Sequence, residues 1–228
     1  MKSKCKVKLI GQEIDLKRAS EYFKTNQFSI SKFDNEYFIC SDKFDDTKDT
    51  NIVSKIANDF LEKVNGILKL KFQGFDLIQL DSLFVFEDDN GISKIAAMRV
   101  AFSGRGDLTT KANNTDKEIE HQNKQIEELL DDSIATEIFH FYSQPTSWIN
   151  LYKVYEIVRD NIGEKRIIEF LTKTELSRFT GTAQSKGQIG DDARHASVKY
   201  QGHSQPMNIE EASALIKKLI TKWAESKM

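Results

Sequence analysis

The pattern of hydrophobic and polar positions over the first hundred residues predicts several short strands. Residues 6–10 alternate lysine with apolar side chains, which is typical of an edge strand with one buried face. Residues 28–33 and 37–40 flank a short polar turn and predict a β-hairpin. Residues 83–86 and 95–102 lie on either side of an Asp-Asp-Asn-Gly turn and predict a second hairpin.

Between the two hairpins the apolar spacing changes to the period of a helix. The apolar stripe of this helix comprises Ile52, Val53, Ile56, Ala57, Phe60, Leu61 and Val64. Asp49 or Thr50 can cap the helix at its start. Asn65 and Gly66 predict its end, and residues 67–72 then resume a strand pattern.

The chain is expected to divide into two domains of different class. Residues 1–103 predict an α+β domain, a small antiparallel sheet covered by one helix. Residues 104–116 are rich in glycine and asparagine and poor in apolar residues, which predicts a linker or mobile loop. Over residues 117–228 the apolar period is helical, so we expect an all-α helical-bundle domain. The predicted fold class of the whole chain is therefore α+β.

Local capping signals mark two long helices in the second half of the chain. Thr146 or Ser147 can cap the first of them. Asn208 can cap the last helix, and Glu211 three residues later completes a capping box. Residues 184–205 between these helices are rich in Gly, Ser, Asp and Gln and predict a loop.

Composition and charge exclude several classes of protein. The chain has 228 residues, of which 39% are hydrophobic and 30% charged, and its formal net charge is −2. These values exclude collagen-like, disulfide-scaffold and wholly disordered chains. They also give no overall attraction to nucleic acid. Residues 146–228 hold 13 Lys and Arg against 10 Asp and Glu, so the helical half is mildly basic and permits RNA contact.

Further sequence features bear on location and cofactors. The sequence has no signal peptide pattern and no apolar run near the ~18 residues that cross a bilayer, so we expect a cytoplasmic protein with no membrane partner. Cys5 and Cys40 form no CxxC pair and are interpreted as packing residues. The chain contains no recognised metal or cofactor motif, and we predict neither a metal nor a cofactor.

A polar loop between the predicted helices is the most informative segment for chemistry. An imidazole with its ordinary pKa of roughly 6.5 suits general acid–base catalysis, which makes His195 a candidate base. Arg194 could stabilise a phosphorane-like charge, and Asp191 or Asp192 could orient the imidazole. The predicted catalytic residues are Arg194, His195 and Asp192, and the predicted substrate-binding residues are Arg178, Asp191 and His203.

The same loop residues also have a purely structural interpretation. Asp191 or Asp192 can cap a short helical turn, and Arg194 can pair with a carboxylate or a helix C-terminus. His195 can then hydrogen-bond the backbone and hold the loop closed. The residues alone leave both interpretations open.

The aromatic residues of the first hairpin are a second set of candidates for binding nucleic acid. Phe33, Tyr37 and Phe38 could stack bases, as aromatic side chains on sheets do. Only Lys24 and Lys32 lie near them in the sequence, so core packing is the favoured interpretation.

Four segments of the second half resemble a group of largely uncharacterised bacterial proteins with a C-terminal helical domain. These segments are the helix at 148–156, the Phe-Thr-Gly-Thr-Ala-Gln run at 179–184, the Gly-Asp-Asp-Ala-Arg-His loop at 190–195 and the Pro-Met-Asn-Ile-Glu-Glu-Ala helix at 206–212. More distantly, Arg194 and His195 in a small helical domain resemble the HEPN superfamily. That resemblance implies a helical bundle, often dimeric, and a metal-independent ribonuclease of prokaryotic defence.

Two hypotheses for function follow from these observations. The first is a defence-associated prokaryotic or phage-conflict protein whose HEPN-like helical domain binds or cleaves RNA. The alternative is a non-enzymatic protein-interaction or dimerisation module, or one subunit of a larger defence complex. In both hypotheses the helical half can contact a second copy of the chain or a protein partner.

Overall fold

The computed structural model describes residues 4–25, 27–45, 47–88, 91–96, 128–194 and 202–227. It divides into two compact units, Met1–Asp131 and Asp132–Met228, named here the sheet unit and the helical unit. The sheet unit contains a five-stranded antiparallel sheet with helices, and the helical unit contains helices, which confirms the α+β class. The predicted linker at 104–116 lies outside the described residues.

The sheet unit is built around a central strand near the start of the chain. Its strands are β1 (Lys4–Ile10), β2 (Ser29–Phe33), β3 (Glu36–Cys40), β4 (Gln79–Asp88) and β5 (Gly91–Ala96), and its helices are α1 (Glu13–Tyr22) and α2 (Thr50–Lys71). The strand order is β2-β3-β1-β4-β5. Strand β1 pairs with β3 on one side and with β4 on the other, so the edge position predicted for residues 6–10 is wrong.

The order β1–α1–β2–β3–α2–β4 is the split βαβ topology, to which β5 adds one strand at an edge. Val7, Ile39 and Phe84 are cross-strand neighbours and are buried. Because side chains alternate between the two sides of a strand, Lys6 and Lys8 lie on the side opposite Val7. The sheet therefore has one apolar buried side and one side that carries lysines.

The described part of this unit contains two α-helices, whereas the sequence predicted one covering helix. The missed helix, α1, buries an ion pair between Asp15 and Arg18 with a 2.8 Å N–O distance, so its inner face is not a plain apolar stripe. Helix α2 begins after its cap Asp49 as predicted. It continues through Gly66 to Lys71, so the predicted stop and the strand at 67–72 are wrong.

Both predicted hairpins are present. Strands β2 and β3 are joined by Asp34 and Asn35, whose φ angles of 47° and 67° are left-handed, as a two-residue hairpin turn of the type I′ class requires. Strands β4 and β5 pair in antiparallel register, from Leu83 opposite Ala96 to Asp88 opposite Gly91. The predicted extension of the second hairpin from residue 97 to 102 lies outside the described residues.

The helical unit packs its longest helices around aromatic side chains. Its elements are α3 (Ser133–Ser143), α4 (Trp148–Ile162), α5 (Glu164–Phe170), α6 (Lys173–Gln184), α7 (Lys186–Ile189), a 3-10 turn (Gly190–Asp192) and α8 (Ile209–Glu225). Ser147 caps α4, and Asn208 and Glu211 form the predicted capping box of α8. The described part of the predicted loop at 184–205 thus contains one short helix and a 3-10 turn. Trp223 of α8 is fully buried and donates its indole N–H to Asn161, at 2.9 Å.

Candidate functional site

Arg194 lies in a polar cluster at the edge of the aromatic core of the helical unit. Its guanidinium donates to the Tyr152 hydroxyl at 3.2 Å and forms an ion pair with Glu156 at 3.0 Å. Gln184 donates to the same hydroxyl at 2.9 Å. The guanidinium carbon also lies 5.0 Å from the centre of the Tyr152 ring. These four residues are called the Arg194 cluster below.

The elements around this cluster fix its geometry. Tyr152 and Glu156 are one helical turn apart on α4, so they face the same direction. The Tyr152 ring is buried and stacks on Phe179 of α6 with 6.0 Å between ring centres. The backbone N–H of Arg194 donates to the carbonyl oxygen of Ala183 at 3.0 Å. The Arg194 side chain is nevertheless 46% exposed, and within the described part of the chain only two of its five N–H donors are used.

The other predicted catalytic residues are not assembled around Arg194. Asp191 forms an ion pair with Lys186 at 3.0 Å and is 96% exposed. Among the described residues no hydrogen bond or ion pair joins Asp192 to Arg194. His195 lies outside the described residues, so its predicted role as a base remains a prediction.

Arg178 and His203 contact their own chain just before α8. Arg178 donates to the carbonyl oxygen of Gln205 at 3.0 Å and forms an ion pair with Glu211 at 3.3 Å. The N–H of Gln205 donates to Nδ1 of His203 at 3.0 Å. A Cβ atom on Gly181 would lie 3.0 Å from that of His203, so glycine permits this close approach. These contacts hold the segment that leads into α8, and the substrate-binding role of both residues stays a prediction.

A second candidate site, of which the sequence indicates only the hairpin aromatics, lies on the side of the sheet opposite Val7 and Phe84. We call this side the open face. It carries Lys4, Lys6 and Lys8 from β1, Phe33 from β2, Phe38 from β3, and Val85, Glu87, Ile92 and Lys94 from β4 and β5. The ammonium of Lys6 lies 4.1 Å from the centre of the Phe33 ring and 5.0 Å from that of Phe38. Phe33 is 42% exposed, whereas Phe38 is buried.

The exposed ring of Phe33 borders a cavity on the open face. This cavity of about 380 Å³ is also lined by Lys4, Lys6, Ser29 and Ser31. In the described part of the chain neither Lys4 nor Lys6 forms an ion pair, and Glu87, which also lines the cavity, lies directly opposite Lys4 across the sheet. Asp42 and Asp45 line the cavity as well. The cavity therefore combines aromatic, hydroxyl and charged groups of both signs.

Lys8 of the open face and the thiols of Cys40 and Cys5 are not reactive groups. A hydrogen bond with Glu36 raises the pKa of Lys8, so its ammonium stays charged. The same ammonium forms an ion pair with Asp81 at 3.5 Å, and these carboxylates offset its charge. Burial raises the pKa of the Cys40 thiol, and it raises that of Cys5 to about 12. Both thiols therefore stay protonated near neutral pH, where a thiol is a poor nucleophile.

One sequence signal for this site was present but was interpreted differently. The sequence predicts an edge strand over residues 6–10 and places only Lys24 and Lys32 near the hairpin aromatics. Because β1 is central and pairs with β3, the lysine row lies beside the aromatic hairpin. The prediction that the hairpin aromatics pack in the core is confirmed for Tyr37 and Phe38 and is wrong for Phe33.

The described residues contain no group of three or more His, Cys, Asp or Glu side chains that could hold a metal ion. A search of the same residues found no helix with the length and apolar character to span a membrane. No family model, curated protein or solved structure matches the chain. The resemblance to the bacterial family and to the HEPN superfamily therefore remains a prediction.

Proposed function

We propose that this protein binds single-stranded RNA through the open face of its sheet unit. The observation that carries the proposal is the exposed ring of Phe33, held beside the Lys6 ammonium at 4.1 Å. Aromatic side chains on a sheet stack unpaired bases, and nearby lysines neutralise the phosphates that connect them. An RNA base would stack on Phe33 with its phosphate close to Lys4 and Lys6.

The cavity next to Phe33 supports RNA over DNA as the ligand. Ser29 and Ser31 line this cavity, and each side chain brings a hydroxyl that can donate and accept a hydrogen bond. The ribose 2′-OH is the group by which proteins separate RNA from DNA. Lys94 extends the row of cations, because Val85 pairs with both Lys6 and Lys94 across the sheet.

Fluorescence anisotropy with a labelled single-stranded RNA of mixed sequence tests this proposal. Phe33→Ala removes the stacking surface and is expected to weaken binding about tenfold or more, since stacking on one ring contributes roughly 1–3 kcal/mol. Lys6→Ala is expected to weaken binding and lower its salt dependence. Lys55→Ala on the exposed side of α2 is the matched control and should bind as the wild type does. Equal binding by wild type and Phe33→Ala would refute the proposal.

A second candidate function is RNA cleavage at the Arg194 cluster. The observation that favours it is the half-exposed guanidinium of Arg194, which Glu156 and Tyr152 hold in a fixed orientation. In this hypothesis His195 takes the proton of a ribose 2′-OH, the 2′ oxygen bonds to phosphorus, and the bond to the 5′ oxygen breaks as that oxygen gains a proton. Arg194 stabilises the charge that develops on the phosphate. The defence association implied by the HEPN resemblance belongs to this hypothesis.

Gel assays of RNA cleavage separate this second function from binding alone. Arg194→Ala and His195→Ala are expected to abolish cleavage, whereas Arg166→Ala, an exposed arginine on α5, should leave it unchanged. Cleavage that persists in both variants would contradict a role for the cluster. A wild-type protein that neither binds nor cleaves RNA would favour the non-enzymatic interaction module.

A further inference from the structure

Among the described residues, strand β5 lies at an edge of the sheet. Residues 91–95 are all exposed, and Ile92 is 66% exposed. On one side β5 pairs with β4, and on its other side it has no partner strand among the described residues. Such an edge offers unpaired backbone N–H and C=O groups to a further strand.

We propose that β5 pairs in antiparallel fashion with β5 of a second copy of this chain, so that the two sheets become one. Two identical antiparallel edges are related by a two-fold axis perpendicular to the sheet. This axis keeps the open face of both copies on the same side. Residues of the open face must therefore pair with residues of the open face, which limits the possible registers.

The sequence of β5 favours one of the allowed registers. A pairing centred on Lys94 would place two lysines directly opposite each other, which is destabilising. A pairing centred on Ile92 would join only residues 91–93 of the strand. A pairing centred on Ser93 joins residues 91–95 and places Ile92 opposite the partner's Lys94. In that register the stem of the lysine covers the exposed side chain of Ile92.

Charge complementarity supports this second copy as the occupant. Glu87 lies directly opposite Ile92 of β5 and directly opposite Lys4 of β1, and its side chain is exposed. In the joined sheet the partner's Lys94 lies two strand spacings, about 9.6 Å, from Glu87 between Cα atoms. A lysine lying over Ile92 directs its ammonium toward that carboxylate. The two-fold axis creates the same pair twice.

Sedimentation velocity over a wide range of protein concentration, without RNA, tests the pairing. The wild-type chain is expected to form a reversible dimer. Lys94→Glu changes both cross-copy pairs from attraction to repulsion and should weaken the dimer about tenfold. The double variant Glu87→Lys, Lys94→Glu should recover part of the lost affinity, because it restores the cross-copy attraction but places a lysine opposite Lys4 of the same copy. Lys55→Glu is the control for a charge reversal elsewhere and should leave the dimer unchanged.

Three results would overturn this inference. The first is that the wild-type chain stays monomeric at every concentration. The second is that Lys94→Glu leaves the dimer unchanged. The third is that the double variant has the circular dichroism spectrum of the wild type but recovers none of the lost affinity. Glu87 of β4 and Lys94 of β5 are both exposed, so these variants are expected to keep the fold, which circular dichroism checks.

Discussion

Asn65 joins helix α2 to the segment that leads into strand β4. Its side-chain amide donates to the carbonyl oxygen of Ile78 at 2.8 Å, and its carbonyl oxygen accepts the N–H of Ile78 at 3.0 Å. Asn65 is 7% exposed and Ile78 is 1% exposed. Asn65→Ala therefore leaves two buried backbone groups of Ile78 without partners.

The expected loss of stability follows from these two groups. A buried N–H or C=O left without a hydrogen bond costs about 1–3 kcal/mol. Alanine recovers about 0.5 kcal/mol through its higher helix propensity. The net loss is about 3 kcal/mol, which corresponds to a fall in Tm of roughly 10 °C for a protein of this size.

Thermal unfolding followed by far-UV circular dichroism measures this loss. Trp148 and Trp223 both lie in the helical unit, so tryptophan fluorescence follows that unit and circular dichroism follows both. Asn51→Ala is the matched control, because Asn51 is an exposed asparagine of the same helix. A loss below about 0.5 kcal/mol, or one equal to that of Asn51→Ala, would refute the role given to the Asn65–Ile78 pair.

Two further predictions concern helix α8. Hydrogen bonds from the Asn208 N–H and from Arg178 lower the pKa of Glu211. The charged carboxylate therefore stabilises the fold at pH values above its ordinary pKa of 4.5. This stabilisation is lost as the pH falls through the lowered pKa. Glu211→Gln keeps the capping-box side chain and should reduce the loss of urea stability between neutral pH and about pH 3, whereas an unchanged loss would contradict this. Trp223→Ala removes a fully buried side chain and should cost about 3–5 kcal/mol in urea unfolding; a cost below 1 kcal/mol would contradict its place in the core.

The parts of the fold that depend on local chemistry could be predicted from the sequence. The β2–β3 hairpin needs only a polar turn with residues that tolerate a left-handed φ, as Asp34 and Asn35 do. The caps at Ser147 and Asn208 depend on side chains within three residues of the bonds they make. Such signals lie within a short window of the chain, so they can be recognised without knowledge of its distant contacts.

The errors concern contacts between distant segments. Asn65 and Gly66 are typical of a helix end, but the bond from Asn65 to Ile78 gives the polar side chain a buried partner and lets α2 continue. The position of β1 in the sheet also depends on distant segments, because β1 is central only when both β3 and β4 pair with it. The alternating pattern of one strand carries no information about how many neighbours it has.

The candidate sites show the same division. Arg194 could be singled out from its polar loop, but its partners Tyr152 and Glu156 lie on a helix far away in the sequence. The contact of Lys6 with Phe33 depends on the pairing of β1 with β3, and no local pattern indicates it. The open face is therefore recognised as a candidate site from the sheet order, which brings Lys6 beside Phe33, and not from a local sequence pattern.

RNA binding by the open face can be tested by ultraviolet crosslinking of the wild-type protein to single-stranded RNA, with the crosslinked residues located by mass spectrometry. We expect crosslinks at Phe33 and in the β1 peptide that carries Lys4 and Lys6. The same crosslinks should disappear when unlabelled RNA competes for the open face. Crosslinks confined to the helical unit, or binding with no crosslink on the open face, would contradict the claim.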